Sequence, residues 1–209
     1  MAPYGRRTMD VRELAVPRAW RITPHQLSDS RGSFFELHRH SQVIEATGRP
    51  FSVAQVNFSS SRRGTLRGIH GTVTPPGQAK VVTCVRGAVL DVVVDTRLGS
   101  PTFGVYDMTR LDAESGAAVY LPEGLGHGFL ALTDDACVCY LCSSEFVPGS
   151  QVDINALDPE LGIPWGLTEK PLMSDKDASA LSLAETAAAG LLPTYEECLA
   201  LEAGLSTTV

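Results

Sequence analysis

A chain of 209 residues, 44% of them hydrophobic and 20% charged, is long enough to bury a sizeable core and reads as one soluble globular domain. No apolar run reaches the length that a bilayer crossing needs, and a formal charge of -7 excludes a general nucleic-acid binder, which wants a surplus of Lys and Arg. Met1 to Asp10 carries Arg6 and Arg7 but leads into Val11-Arg12-Glu13-Leu14 rather than an apolar segment, so the reading is no secretory signal and a cytoplasmic address.

Strand signals start near Val16 and meet a turn cluster at Ser28-Asp29-Ser30-Arg31-Gly32. From Gly32 to Leu37 the alternation sets Phe35 and Leu37 against Phe34 and Glu36, which predicts a strand. His38 and His40 follow at a spacing that could offer two metal ligands, but nothing downstream completes a set, and they are read as surface or rim histidines. A short helix or loop is expected over Gln42 to Thr47, ended by Gly48-Arg49-Pro50. Phe51 to Phe58 is again strand-like, with Gln55 and Asn57 on one face as part of a polar-lined interior, and Ser59 to Gly64 is expected to turn.

Leu66-Arg67-Gly68-Ile69-His70, with Lys80 ten residues on, concentrates chemistry between strand-like segments. Imidazole exchanges protons near neutrality, guanidinium suits phosphate, and an ammonium can steady an oxyanion. A lone strand histidine is also often a satisfied structural residue. Thr74-Pro75-Pro76-Gly77 breaks the chain, and the longest β-rich run follows, from Lys80 through Val85 and from Ala88 to Asp95. In its second half Ala88, Leu90, Val92 and Val94 form one apolar face, and Asp91 shares the other with Asp95, a pair that suggests acid/base work or cation binding, although solvent-facing or hydrogen-bonded aspartates are the commoner outcome.

After a turn at Leu98 to Gly104, strands are expected around Gly104 to Leu111 and Ala117 to Leu121. Pro122 to Phe129 reads as a glycine-rich turn presenting His127 at the mouth of the next strand; the pattern and helix of a phosphate loop are missing. Ala136 to Cys142 is a strand with Tyr140 on the face of Val138 and Cys142. Five cysteines with no paired-knuckle spacing read as small buried hydrophobes in a reducing compartment. Beyond Asp153 the pattern changes, and Ser182-x-x-Glu185 and Thr194-x-x-Glu197 are capping boxes opening two short helices, with Gly190 and Gly204 as expected stops. The expected architecture is all-β, a jelly-roll sandwich or barrel over residues 11–150, with 151–209 as an outer loop and helical tail.

Arg31-Gly32, Leu66-Arg67-Gly68-Ile69-His70, Pro76-Gly77-Gln78-Ala79-Lys80, Gly99-Ser100-Pro101-Thr102, His127-Gly128-Phe129 and Ser174-Asp175-Lys176-Asp177 occur in this order. From about Val11 to Leu192 the chain thereby resembles the dTDP-4-dehydrorhamnose 3,5-epimerase family, above all its branch serving antibiotic deoxysugars. The resemblance implies a cupin-type jelly roll, a homodimer, a dTDP-linked 4-keto-6-deoxysugar as substrate, and catalysis with no metal or other cofactor. It also implies that His70 is the base, Asp177 its partner, Lys80 the enolate-stabilising group and Tyr140 the acid on the far face of the ring. Arg31 and Arg67 would hold the diphosphate, with Glu36, Gln55, Asn57 and His127 lining the sugar and nucleotide pocket.

Two departures from the family pattern are expected to matter. Gly71 replaces an aromatic after the base and is expected to reshape the pocket, and Glu145-Phe146 replaces a Tyr-Tyr pair that bears on nucleobase stacking. Two other readings stand beside the first: a metal-dependent cupin oxygenase or isomerase using His38, His40 and a third ligand, and a non-catalytic sugar-nucleotide-binding jelly roll.

Overall fold

The computed structural model describes residues 8–206. Its strands are β1 (Met9–Glu13), β2 (Trp20–Pro24), β3 (Leu27–Asp29), β4 (Gly32–Phe34), β5 (Gln55–Ser61), β6 (Leu66–Thr72), β7 (Lys80–Arg86), β8 (Ala88–Asp95), β9 (Tyr106–Asp112), β10 (Ala118–Leu121), β11 (Leu125–Ala131), β12 (Ala136–Cys142) and β13 (Gln151–Asp153). Four helices, α1 (His40–Thr47), α2 (Asp175–Ala178), α3 (Leu183–Ala188) and α4 (Tyr195–Ser206), complete it. Arg6 and Arg7, on which the reading of the N-terminus drew, lie outside the described residues.

One sheet runs β1-β2-β10-β7-β12-β5 and the other β13-β6-β11-β8-β9, while β3 and β4 form a separate hairpin. From β7 to β12 the chain crosses between the sheets repeatedly, the jelly-roll arrangement. Period-two alternation builds the layers. Val82 and Cys84 of β7, Val119 and Leu121 of β10, and Val138 of β12 meet Val89, Val93, Leu125 and Phe129 of the facing sheet. On the outer face of the six-stranded sheet Val81, Ala118 and Tyr120 pack with Val43 of α1 and with Phe51. Gly48, at φ 72, caps α1 in the left-handed region.

The C-terminal segment is no outer tail. Val152, Ile154, Leu161, Ile163, Trp165, Leu183 and Leu192 cover Leu66, Ile69, Val92 and Val94 on the second face of the five-stranded sheet. That is why β8 is buried on both sides: Asp91 and Asp95 are 1% and 0% exposed, so the face they share looks inward. Asp95 is absorbed structurally. It accepts from Arg97 Nε at 2.8 Å, Ser100 Oγ at 2.6 Å and Thr102 Oγ1 at 2.7 Å, and the Arg97 guanidinium lies 5.0 Å from the Tyr195 ring, tying the turn after β8 to α4. Burial pushes the Asp95 carboxyl up, but these donors outweigh it and hold the group below the usual carboxylate range.

Both capping boxes form, Ser182 with Glu185 and Thr194 with Glu197. Gly190 follows α3 at φ 68, whereas Gly204 lies inside α4 instead of ending it. Further corrections fall where local pattern met a competing contact. The strand expected over Gly32 to Leu37 stops at Phe34, because Phe35 turns away to lay its ring over Gly116. The strand expected to begin at Phe51 begins at Gln55, since Phe51 packs edge-on against Tyr120 at 5.7 Å, and Ser59 to Ser61, read as turn, remain paired to β12.

Candidate active site

Along the inward faces of several strands apolar residues give way to polar ones toward one end of the sandwich. On β12 the series runs Val138, Tyr140, Cys142, and on β7 it runs Cys84, Val82, Lys80; the apolar members lie in the inter-sheet core and the others line a cavity of about 280 Å³. Gln55, Asn57 and Ser59 of β5 extend this wall, and Arg67, His70 and His127 form the opposite one on the five-stranded sheet.

His70 is the cross-strand neighbour of His127 on β11 and of Asp153 on β13. Its Nε2 lies 2.7 Å from Asp177 Oδ1. Asp177 reaches it from α2, whose start is fixed by Ser174 Oγ accepting from the Asp177 amide at 3.1 Å. The Gly68 amide also points at Asp177 Oδ2, 3.5 Å away. Gly68 has φ 106, and a Cβ there would come within 2.6 Å of the His127 carbonyl oxygen, so only glycine allows this approach. Burial raises the Asp177 carboxyl, but the bond with His70 and those from Gly68 and Ser174 bring it below the ordinary value, leaving an anion on the imidazole.

On the facing wall the Tyr140 hydroxyl lies 3.2 Å from Ser59 Oγ, and burial pushes the phenol up to about 12 against the pull of Ser59. It therefore holds a transferable proton at neutral pH. Burial also lowers the Lys80 ammonium below the usual lysine range, with the Cys142 thiol opposing. Arg67 is steadied by Ser61 Oγ at 3.0 Å, and Gln55 donates to Asn57 Oδ1 at 2.8 Å while accepting the Phe146 amide at 2.8 Å. That bond sets Phe146, 57% exposed, at the cavity rim as an open aromatic face.

His127 stands within β11 and not in the preceding turn, its Nε2 2.6 Å from Asp91 Oδ2 and its ring edge-on to Tyr140 with centroids 6.0 Å apart. From sequence Asp91 is paired with Asp95 as a candidate for acid/base work or a cation, and Asp153 is not singled out. The alternation put Asp91 on a face with Asp95 without saying that the face pointed inward, and Asp153 marked only a change of pattern.

Arg31 and Glu36 do not line the cavity of their own chain. Arg31 pairs with Asp29 on the β3–β4 hairpin at 2.6 Å, and Glu36 binds Arg39 and Thr8, with Arg39 holding it down to about 2. Gly71 lines the cavity beside the base, and a Cβ there would meet Leu125 O at 3.8 Å and Thr96 and Val152 at 4.0 Å, ordinary contact distances. His38 packs edge-on to Phe51 at 5.7 Å and His40 opens α1, so the metal reading finds its two histidines away from the cavity. Among the described residues no helix is long and apolar enough to cross a membrane.

Comparison with known proteins agrees with this fold. The family model for dTDP-4-dehydrorhamnose 3,5-epimerase matches residues 13–185. A dTDP-4-dehydrorhamnose 3-epimerase of Streptomyces niveus is 53% identical over 193 residues, covering 92% of this chain and 93% of that protein. The structure of a 4-keto-6-deoxy sugar epimerase from the novobiocin biosynthetic gene cluster of Streptomyces spheroides superimposes with a TM-score of 0.89 at 52% identity, covering 95% of this chain and 98% of the other. That of a 3'-monoepimerase from Streptomyces bikiniensis, in complex with dTDP-quinovose, gives 0.90 at 49% identity, covering 93% and 98%. With jelly roll, imidazole–carboxylate pair and facing phenol in one cavity, and a family match spanning most of its length, the chain belongs to the dTDP-4-dehydrorhamnose 3,5-epimerase family and is an isomerase.

Proposed function

We propose that this protein inverts C3, C5 or both of a dTDP-linked 4-keto-6-deoxyhexose, in the making of a deoxysugar for an antibiotic glycoside. The observation that carries the reading is the placement of His70 and Tyr140 on facing walls of one cavity, with Lys80 between the core and its mouth. A proton next to a ketone is acidic enough to leave only if a base is placed beside it and the developing oxyanion is met by a donor. With Nε2–H donated to Asp177, the His70 lone pair sits on Nδ1 and takes the proton. Asp177 balances the imidazolium, and Lys80 donates to the enolate oxygen. The Tyr140 hydroxyl then protonates the carbon from the opposite face, which inverts the centre; the imidazolium gives its proton to solvent and the phenolate takes one back. A set this complete also speaks against the non-catalytic reading.

Arg67 is the guanidinium available for the diphosphate within the chain. The pocket residues Arg31 and Glu36 fit the proposal if a second copy supplies them, so the working unit is a homodimer. Support lies in β5, an edge strand with Val56 and Phe58 47% and 64% exposed, and in the hairpin residues Leu27 and Phe34 at 60% and 65%. Bare apolar edges of this kind are ready to pair. Sedimentation should give twice the mass of the chain, and Val56→Glu should return it to one chain while lowering turnover; a fully active single chain would refute the dimer. Five unpaired thiols suit the proposed cytoplasmic location.

The test of function is solvent exchange. Incubated in D2O with dTDP-4-keto-6-deoxyhexoses, the protein should place deuterium at C3, C5 or both, read by NMR. Absence of label at both carbons ends the assignment.

A further inference from the structure

His70 faces a second carboxylate that the proposed chemistry does not use. Asp153 Oδ1 lies 3.6 Å from His70 Nε2 and also accepts from Lys176 Nζ at 2.9 Å and Gln151 Nε2 at 2.5 Å. Register explains the approach: Asp153 and His70 are direct partners in the β13–β6 ladder. Lys176 and Asp177 are consecutive on α2, so one helical turn delivers the direct partner of the imidazole and the counter-charge of the second carboxylate. The side chain of Asp153 is 24% exposed and that of Lys176 55%, against 5% for Asp177. The other charged or titratable groups lining this space are His127, itself bound to Asp91; Tyr140, Lys80 and Cys142 on the facing sheet; Glu145 beyond β12; and Arg67 on the strand of His70.

We propose that Asp153 is a positioning residue for His70, a second negative charge that favours the imidazolium formed when the sugar gives up its proton, with Lys176 setting how much of that charge the ring experiences. Asp177 makes the direct bond and is buried, so its contribution is fixed. Asp153 is adjustable, because its charge is shared with an exposed ammonium. The role in turnover rests on the epimerase reading, but the electrostatic coupling does not.

The test follows the His70 ring by NMR in full-length protein carrying labelled histidine, its signal assigned by its loss in His70→Asn. Asp153→Asn keeps the shape and the acceptor for Lys176 and Gln151, and should lower the midpoint of the His70 titration by roughly half a pH unit to one unit, the scale expected of a partly offset charge at this range. Lys176→Met uncovers Asp153 and should move the midpoint the other way, and Asp153→Glu should restore it. Midpoints that stay at the parental value, or that move in the same direction in both variants, overturn the coupling. Should Asp153→Asn fail to fold, Lys176→Met decides alone. The acid limb of deuterium exchange should follow the titration, falling in Asp153→Asn and rising in Lys176→Met, and a limb that stays put overturns the catalytic role. Parental protein that exchanges nothing defeats the epimerase reading while leaving the titration to judge Asp153.

Discussion

His70→Asn should fold like the parent and lose deuterium incorporation at every carbon, by roughly the hundred- to ten-thousandfold that a placed general base contributes. Asparagine is the informative replacement because of Asp177. That carboxylate is 4% exposed and lies 2.7 Å from the imidazole, so truncation to alanine would strand a buried anion, a defect costing about 1 to 3 kcal/mol or more and confusing lost chemistry with lost stability. The asparagine amide can still donate to Asp177 but has no basic lone pair at neutral pH. Thermal midpoint and the circular dichroism spectrum should therefore match the parent while exchange disappears. A variant that kept exchanging at the parental rate would place the base elsewhere, and His127 with Asp91 behind it would be the next group to replace.

What the sequence disclosed depended on whether a residue's neighbours are close in the chain. β12 was legible residue for residue, as were both capping boxes, because a period-two pattern or an S/T-x-x-E signature contains its own partners. Phe35 could not be placed, since the contact that ends its strand is Gly116, far along the chain. The C-terminal segment looked peripheral because its apolar residues are scattered through turns; only the fold shows Trp165 and Leu183 closing the same core as Val92. In the site, local chemistry marked Arg67, His70 and Lys80 and alternation put Gln55 and Asn57 on a polar interior; the resemblance gave roles to these and to Tyr140 and His127, and all of them line the cavity. Asp153 escaped notice because its meaning comes from sheet register alone. Arg31 and Glu36 lie outside the cavity lining, where the proposed second copy would have to supply them.

Tyr140→Phe separates proton removal from proton return. Phenylalanine keeps the ring, and with it the packing against the inter-sheet core and the edge-on contact with His127, losing only the hydroxyl that meets Ser59 at 3.2 Å. Removal of that one bond should change stability by no more than about 1 kcal/mol. The chemistry should divide. His70 and Asp177 stand on the opposite wall and are untouched, so the proton next to the ketone still leaves, and Lys80 still meets the enolate oxygen. No acid then waits on the far face. The enolate can only be quenched from the side on which His70 holds the proton, now exchanged with solvent, and deuterium should enter with the original configuration retained. Inverted product should fall by about a hundredfold or more, the lower range for a positioned general acid. In the parent, a phenol pushed up to about 12 keeps its proton through neutral and mildly alkaline solution, so loss of that proton should not limit the rate near neutrality. NMR of the deuterated sugar nucleotide reads both quantities in one sample, label and configuration. Inversion at the parental rate would remove Tyr140 from the reaction; loss of exchange together with inversion would mean that the phenol is needed for the proton to leave as well as to return.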